Sequence, residues 1–233
     1  MLELVVALRR VMVGRCLAFH TDLHGNVPHA LAFVNTHVYG WSMNEPLTRD
    51  QTKDATKDRL TRAAWLDHGL RTLSRHGANA LKVGSLASGL NVSRGSFYWH
   101  FNDIDDFRVQ LLQVWQERAT DQVIRDIDSA LVGPARLTRL MTLAFHEDRS
   151  LDRAIRSWAS AAADVAQIVA SVDAKRIAYL AKLLVESGVE AKRTLPRAEF
   201  LYWAYIGQSA VMDPRHCAIT ERDIDDLSGL FTR

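Results

Sequence analysis

Residues 82–101, KVGSLASGLNVSRGSFYWHF, constrain the fold of this chain more than any other stretch. Their first half spaces apolar residues at i, i+3, i+4 and i+7, the stripe of one short amphipathic helix: Val83, Leu86, Ala87 and Leu90. Asn91 follows where that helix must turn sharply, and asparagine is one of the few non-glycine residues that tolerate left-handed backbone angles. The stretch is therefore predicted to form two short helices joined by a tight turn.

The second of these helices is expected to lie on the surface. Ser93 can cap it with its hydroxyl, and the helix carries hydrogen-bond donors and flat rings but almost no aliphatic face. Its distinctive residues are Arg94, Gly95, Ser96, Tyr98, Trp99 and His100. Such a composition suits a helix laid in a groove of DNA better than a helix buried in a core.

The residue types of this helix match the contacts that a DNA-reading helix makes. Arg94 can form two hydrogen bonds with a guanine edge, and Ser96 can donate to or accept from either base. Gly95 removes a side chain, so the helix can approach the groove closely. Contacts with phosphate oxygens, which fix the register, are expected from Lys82, Tyr98 and His100.

The aromatic run also admits a second interpretation, a core cluster. Phe97 and Phe101 are four residues apart and face one side of the helix, so both are predicted to be buried. Tyr98, Trp99 and His100 are predicted to contact the groove instead.

At LASGLNVSRGSFYWHF the chain resembles the TetR family of bacterial transcription regulators, whose pattern is roughly IA-x-x-LGVS-x-G-x-[FL]Y-x-HF. The resemblance starts near Thr56 and continues, with falling clarity, to the C-terminus. Two positions depart from the pattern. Asn91 stands where the family has a glycine in the turn, and Ile104 stands where the family usually has a lysine that touches a phosphate, which removes one expected backbone contact.

The resemblance implies an all-α protein with a three-helix helix-turn-helix DNA-binding domain first and a helical effector-binding and dimerisation body second. It implies phosphate contacts for Tyr98 and His100 and places Trp99 near sugar and base edges. It also implies a homodimer, a double-stranded DNA operator and a small-molecule effector. The predicted DNA-binding set is Lys82, Ser93, Arg94, Gly95, Ser96, Tyr98, Trp99 and His100.

Charge is distributed in a way that agrees with a polyanionic partner. Between Gln51 and Asn102 three acids, Asp54, Asp58 and Asp67, face eight basic residues: Lys53, Lys57, Arg59, Arg62, Arg71, Arg75, Lys82 and Arg94. Such a cluster alone is usually a solvated helix face, but the adjacent motif favours DNA.

The first 50 residues are expected to be a poorly structured extension, because Gly25, Asn26 and Pro28 interrupt any period. Residues 1–42 are expected to be an over-extended translation or a disordered tail, with Met43 as the start and Arg49, Lys53 and Lys57 in a short basic arm. An extra helix over residues 5–19 is the alternative.

His20 and His24 stand at i, i+4 without a third ligand, so no metal site is predicted.

The rest of the chain reads as helix after helix. The domains are expected at 51–102 and 103–233. The first helix has a stripe of Ala63, Leu66, Leu70 and Leu73 and ends at Gly77. Asn102 or Asp103 is expected to cap a helix running to about Ala130, with Phe107, Leu111, Val114 and Trp115 inward. Gly133-Pro134 then breaks the chain before five further helices, about nine in all: 134–148, 151–162, 163–187, 195–212 and 220–232.

Two candidate sites fall in the helical body. The dimer interface is expected on the last two helices, although both stripes could instead pack inside one protomer: Phe200, Trp203, Ala204, Gly207 and Ala210, and Ile224, Leu227, Leu230 and Phe231. An effector cavity could be lined by Trp115, Phe145, His146 and Trp158, with charge from Arg153 or Arg156. Tryptophans at helical spacing are also ordinary core residues, so this alternative stays open.

Other function classes find little support. The chain contains no nucleophile elbow, dinucleotide-binding glycine motif or P-loop, and Ser150 replaces the second histidine of a zinc motif begun by His146-Glu147, so no enzyme and no cofactor are predicted. Cys16 and Cys217 are far apart, and no apolar run could cross a bilayer, which favours a cytoplasmic protein without a membrane partner. The sequence thus predicts a repressor released from a palindromic operator by an effector. The alternative is an all-α small-molecule-binding protein or enzyme with a vestigial helix-turn-helix.

Overall fold

A computed structural model of the chain describes residues 60–146, 148–211 and 219–233, and all regular structure in these ranges is helical. Three short-to-medium helices come first: α1 Arg62–His76, α2 Val83–Gly89 and α3 Arg94–Tyr98. A larger helical body follows: α4 Ile104–Gln116, α5 Gln122–Ala130, α6 Pro134–His146, α7 Ser150–Ala159, α8 Ala163–Glu186, α9 Ala191–Val211 and α10 Glu221–Thr232. The predicted all-α fold is confirmed.

Helix α1 begins and ends where its capping residues require. The Thr61 hydroxyl accepts a hydrogen bond from the Ala64 backbone N–H at 3.2 Å, and Gly77 ends the helix at φ 74°. The predicted stripe is wrong at its first residue, because Ala63 is exposed and Trp65 is fully buried instead. The buried face is therefore rotated so that the large indole fills the centre of the unit.

Aromatic rings form the core of the first three helices. The Phe97 ring lies 5.4 Å from Trp65, 5.0 Å from Phe101 and 5.5 Å from Phe107 between centroids. All four side chains are at most 2% exposed, which confirms the predicted burial of Phe97 and Phe101. A Cβ on Gly69 would come within 2.5 Å of the Phe107 ring, so this glycine lets α4 pack closely against α1.

The turn between α2 and α3 follows the sequence prediction. Asn91 has φ 55°, the left-handed conformation that asparagine tolerates. Ser93 occupies the N-cap of α3, but its hydroxyl makes no capping hydrogen bond. The Ser93 carbonyl instead accepts from the Ser96 backbone N–H at 3.1 Å, so the backbone of a short turn closes without the side chain.

The long helix predicted from Asp103 to about Ala130 contains an unpredicted π-helical turn, Glu117–Asp121, between α4 and α5. The Asp103 side chain caps its start, accepting from the N–H groups of Asp105 and Asp106 at 2.9 and 2.8 Å. A π turn displaces backbone carbonyls from their usual partners. Here the Arg176 guanidinium donates to the Ala119 carbonyl at 3.1 Å and to the Thr120 hydroxyl at 2.9 Å, which stabilises the turn from outside the helix.

The first three helices share a hydrophobic core with the body. One cluster joins them to α4, α7 and the first half of α8, while a second joins α5, α6, the rest of α8, α9 and α10. The Ser74 hydroxyl of α1 lies 2.6 Å from the Ser150 hydroxyl at the start of α7, and Arg118 pairs with Asp67 at 2.6 Å. A displacement of α7 would therefore reach α1 directly.

Later helix boundaries agree with the sequence within a few residues, with one correction. Helix α6 begins at Pro134 as predicted, after Gly133 at φ 57°. Helix α9 begins at Ala191 rather than at residue 195, and Pro196 lies inside it. A proline beyond the first turn of a helix loses its own N–H bond, and its ring crowds the carbonyl four residues before it. Pro196 lies in the second turn of α9 on an exposed face.

Several expectations fall outside the described residues. These are the extension of residues 1–50, its alternative helix, the basic arm, the histidines at 20 and 24, and both cysteines. Within the ranges that are described, no helix is both long and apolar enough to cross a membrane.

Candidate functional site

Helix α3 buries one aromatic ring and presents two others to solvent. Phe97 is fully buried, whereas Tyr98 is 58% and Trp99 is 78% exposed. The Tyr98 ring packs edge-on against Phe97 with centroids 5.4 Å apart, which orients it at the surface. Large exposed rings side by side are unusual on a free surface and are typical of a binding face.

Arg94, the first residue of α3, lies over the backbone of α2. A Cβ on Gly84 would come within 3.0 Å of its guanidinium, so the absence of a side chain there lets Arg94 fold back. The two helices border a shallow open groove lined by Gly84, Ala87, Ser88, Asn91, Val92, Ser93 and Arg94. Arg94 is exposed and ends in a flexible guanidinium, so it can swing outward to a base edge at little cost.

The other predicted DNA-binding residues lie around the same face. Lys82 is exposed at the N-cap of α2, and Ser93 is exposed at the N-cap of α3. His100 is half-buried, with its ring 6.2 Å from Phe101, and Ser96 is half-buried on α3. Ile104 packs against the aromatic core, so its side chain is used for packing.

Gly95 offers a test that separates folding from binding. A Cβ at this position would meet only the Ser93 hydroxyl, at 3.7 Å. We expect Gly95→Ala to stabilise the free protein by about 0.5–1 kcal/mol, because alanine favours helix more than glycine does. The added methyl would stand between α3 and a groove, so DNA affinity is expected to fall by on the order of tenfold. Urea unfolding and fluorescence anisotropy with duplex DNA measure the two effects, and a variant that binds DNA as tightly as the wild type would contradict close approach at Gly95.

A network of buried polar groups lies at the centre of the body. The Asp152 carboxylate accepts hydrogen bonds from Trp115 Nε1 at 2.8 Å, Arg176 Nη1 at 2.9 Å and the Tyr205 hydroxyl at 2.8 Å. Burial alone would raise the pKa of Asp152, but the Arg176 charge and these three donors outweigh it and hold the pKa below its ordinary value. The same burial and the Asp152 charge raise the pKa of the Tyr205 hydroxyl, so it stays a neutral donor.

A second charged pair lies beside this network. Arg156 binds both oxygens of Asp173, at 3.0 and 2.7 Å, and the Tyr202 hydroxyl donates to the same carboxylate at 2.6 Å. Burial, together with this hydrogen bond, raises the pKa of Tyr202 to about 12. Arg156 was one of two arginines predicted to supply charge for an effector, but its guanidinium already binds Asp173.

The predicted effector residues lie in separate places. Trp115 is 2% exposed and bound to Asp152, and Trp158 packs with it in the first hydrophobic cluster. Phe145 belongs to the second cluster, while His146 is exposed at the end of α6. Arg153, the other predicted source of charge, is exposed. The sequence interpretation missed Arg149, a half-buried arginine whose guanidinium carbon lies 4.3 Å from the centroid of the Tyr205 ring.

The predicted dimer residues divide into two groups. Ile224 and Phe231 are at most 4% exposed and pack within the protomer, and Phe200 contacts Phe231 at 6.1 Å between ring centroids. Leu227 also packs against this cluster. The other group faces outward: Trp203 is 66% exposed, Ala204 is exposed, and a Cβ on Gly207 would meet nothing within 4 Å. Ala210 lies on the same helix, in the part whose side chains are not described.

Comparisons with known proteins agree on the N-terminal helices. Residues 66–111 match the family described as "Bacterial regulatory proteins, tetR family". Over 56 residues the chain is 36% identical to the HTH-type transcriptional regulator AcrR of Shigella flexneri, a stretch that covers 24% of this chain and 25% of that relative. The chain thus matches about a quarter of the length of this curated relative.

A likeness to a solved structure extends to the body. A crystal structure described as that of a TetR-family transcriptional regulator from Rhodococcus sp. matches with a TM-score of 0.54 and 17% identity, covering 73% of this chain and 96% of that one. At this level of identity the likeness concerns the fold, and it includes the helices that follow α3.

Proposed function

We propose that this chain, whose N-terminal helices form a TetR-family helix-turn-helix domain, is a sequence-specific transcriptional repressor that binds a palindromic operator as a homodimer and is released by a small effector. One observation carries the proposal: α3 holds Tyr98 and Trp99 on the surface, beside Arg94, while Phe97 anchors the helix in the core. The proposal assigns no catalytic step to any residue.

The roles of the residues on this face follow from their chemistry and placement. Arg94 at the N-terminal end of α3 would read a guanine, since it is the residue that can reach deepest into a major groove. Lys82, Tyr98 and His100 would bind phosphate oxygens on either side and set the register. Trp99, the most exposed of the rings, would pack against sugar and base edges.

The experiment that tests these roles compares two charge deletions on two DNAs. Arg94→Ala is expected to cost about 1–3 kcal/mol on the operator and to relax the preference at one base pair in each half-site. Lys82→Ala is expected to weaken binding to operator and to random DNA alike, and to reduce the dependence of the affinity on salt concentration. Anisotropy titrations at several salt concentrations give both quantities. An Arg94→Ala variant that loses the same factor of affinity for operator and for random DNA would refute base reading by Arg94.

The outward-facing stripe of α9 supports the dimer. Leu195, Glu199, Trp203 and Gly207 lie four residues apart along α9, and only Glu199 is charged. Leu195 and Trp203 are 52% and 66% exposed. Apolar and small residues along one helix are the surface that a two-fold mate covers in an isologous helical interface. Ile224 and Phe231, by contrast, would support this face from beneath.

Release by an effector needs a path from the body to the DNA-binding helices. Helix α7 contacts α1 through the shared core and through Ser150 and Ser74. Arg176 binds the π turn between α4 and α5, and α4 directly follows the DNA-binding helices, so the buried network also contacts a second connection to them. A ligand that shifts α7 would favour a dimer whose two α3 helices no longer match the operator spacing, and linkage requires the operator to weaken ligand binding by the same factor.

A further inference from the structure

Arg149 is a half-buried cation whose hydrogen bonds are incomplete among the described residues. Its guanidinium lies between two rings, with its central carbon 4.3 Å from the Tyr205 centroid and 5.8 Å from the Phe145 centroid. Nη1 donates to the Tyr205 carbonyl at 3.0 Å. Nη2 is buried and, among the described residues, has no acceptor. A buried donor left unpaired on a charged group is costly, so something outside the described protein atoms is expected to satisfy it.

The neighbouring carboxylates already accept hydrogen bonds from other side chains. Asp152 binds Arg176, Trp115 and Tyr205, and Asp173 binds Arg156 and Tyr202. Among the described residues, neither of these carboxylates forms an ion pair with Arg149. Burial and the Arg176 and Arg153 charges lower the pKa of Arg149, and the interactions with Tyr205 and Asp152 offset only part of this effect.

A second unpaired polar atom belongs to the same group of residues. Gln208 lies one turn after Tyr205 on α9, and its Nε2 donates to the Phe145 carbonyl at 3.5 Å. Its Oε1 is buried without a partner among the described residues. We name Phe145, Arg149, Tyr205 and Gln208 the Arg149 cluster: it offers one charged donor, one acceptor and two aromatic faces.

From this cluster we infer a binding site for a small organic monocarboxylate that has a flat apolar part and a hydrogen-bond donor beside its carboxylate. The carboxylate would accept from Arg149 Nη2, the donor would reach Gln208 Oε1, and the flat part would lie along Phe145 and Tyr205. The inference rests on the proposed function, since this ligand would be its effector. Arg149 immediately precedes Ser150, whose hydroxyl contacts Ser74 of α1. Binding at Arg149 would therefore affect the contact between α7 and the DNA-binding helices.

The available hydrogen-bonding groups favour a carboxylate over a phosphate. The two N–H groups of Arg149 Nη2 and the single acceptor Gln208 Oε1 suit a planar carboxylate with an adjacent donor better than a tetrahedral anion that needs several donors.

The test uses the full chain without DNA and three probes: 2-hydroxybenzoate, its neutral analogue 2-hydroxybenzamide, and inorganic phosphate. Calorimetric titration is expected to show 2-hydroxybenzoate binding at least about tenfold more tightly than 2-hydroxybenzamide, because a charge-assisted bond is worth roughly one order of magnitude or more in affinity. Phosphate is expected not to compete. Arg149→Met is expected to bind 2-hydroxybenzoate about tenfold more weakly as well. Arg149→Lys, which keeps the charge without the planar fork, is expected to lose part of this affinity.

Arg139→Met is the matched control, because it removes an exposed arginine of α6 that is not part of the Arg149 cluster, and it is expected to bind like the wild type. Equal affinity for acid and amide, competition by phosphate, or unchanged binding by Arg149→Met would each overturn the inference. A chain that binds 2-hydroxybenzoate but no DNA would contradict the proposed function alone. A chain that binds its operator but none of the probes would contradict this inference alone.

Discussion

Replacing Gly207 with arginine is expected to give folded monomers that bind the operator on the order of 10²–10⁴-fold more weakly, because two linked half-sites gain that factor from effective concentration. In the protomer a Cβ at Gly207 meets nothing within 4 Å, so the substitution does not disturb the fold. In a dimer closed by the α9 stripe, the same side chain would place a charge in an apolar interface without a partner, which is costly.

Sedimentation and a DNA titration measure the two effects, and circular dichroism checks that the helices persist. Val132→Arg is the control, because Val132 is 80% exposed in the loop after α5, away from α9. This variant is expected to remain dimeric and to bind DNA as the wild type does. A Gly207→Arg protein that sediments as a dimer would show that the interface lies elsewhere.

The second large effect is expected in the buried network. Asp152→Asn preserves the shape of the side chain but leaves Arg176 buried without its counter-charge, which costs about 3–5 kcal/mol in the free energy of unfolding. The wild-type pKa of Asp152 lies below its ordinary value of 3.8. The contribution of this carboxylate is therefore present above that pH and is lost as the pH falls through the lower, folded-state pKa.

Urea unfolding at neutral pH gives the free energies. Asp105→Asn is the matched control, since Asp105 pairs with Arg108 at the surface, its side chain is 79% exposed, and its loss is expected to cost less than about 1 kcal/mol. A double variant, Asp152→Asn with Arg176→Met, is expected to recover part of the lost stability, because no unpaired charge remains although the hydrogen bonds to the π turn are lost. If Asp152→Asn lowers the free energy of unfolding no more than Asp105→Asn does, the structural role of the network is contradicted.

Local chemistry made the helix-turn-helix predictable. The left-handed Asn91, the helix end at Gly77 and the start at Pro134 each depend on the conformational preference of one residue, so the sequence identified all three. For the cap of α4 the sequence left Asn102 and Asp103 open, and the structure shows Asp103. The burial of Phe97 and the exposure of Tyr98 also follow from helical periodicity.

What the sequence did not reveal depends on contacts between distant segments. The π turn at Glu117–Asp121 is stabilised by Arg176, more than 50 residues along the chain. Asp152 and Arg176 did carry a weak signal, since each lies three or four residues from a fully buried apolar residue on its own helix, Ile155 and Val172. Periodicity places a charge on a buried face, but only the packing of α7 against α8 shows which carboxylate meets which guanidinium.

Periodicity also could not distinguish the two possible uses of an apolar stripe. Ile224 and Trp203 were predicted for the same interface, yet Ile224 is fully buried in the protomer and Trp203 is 66% exposed. The difference lies in which side of each helix meets the second hydrophobic cluster, and that depends on the arrangement of α6, α8, α9 and α10 together.

Sequence-specific recognition by α3 is tested most directly by a footprint of the purified protein on the DNA that flanks its own gene. One protected palindromic site is expected, with half-sites about one helical turn or a multiple of it apart, on the order of 34 Å, and Arg94→Ala is expected to reduce the protection. Protection spread evenly along the DNA, or none at any salt concentration, would contradict sequence-specific recognition by α3.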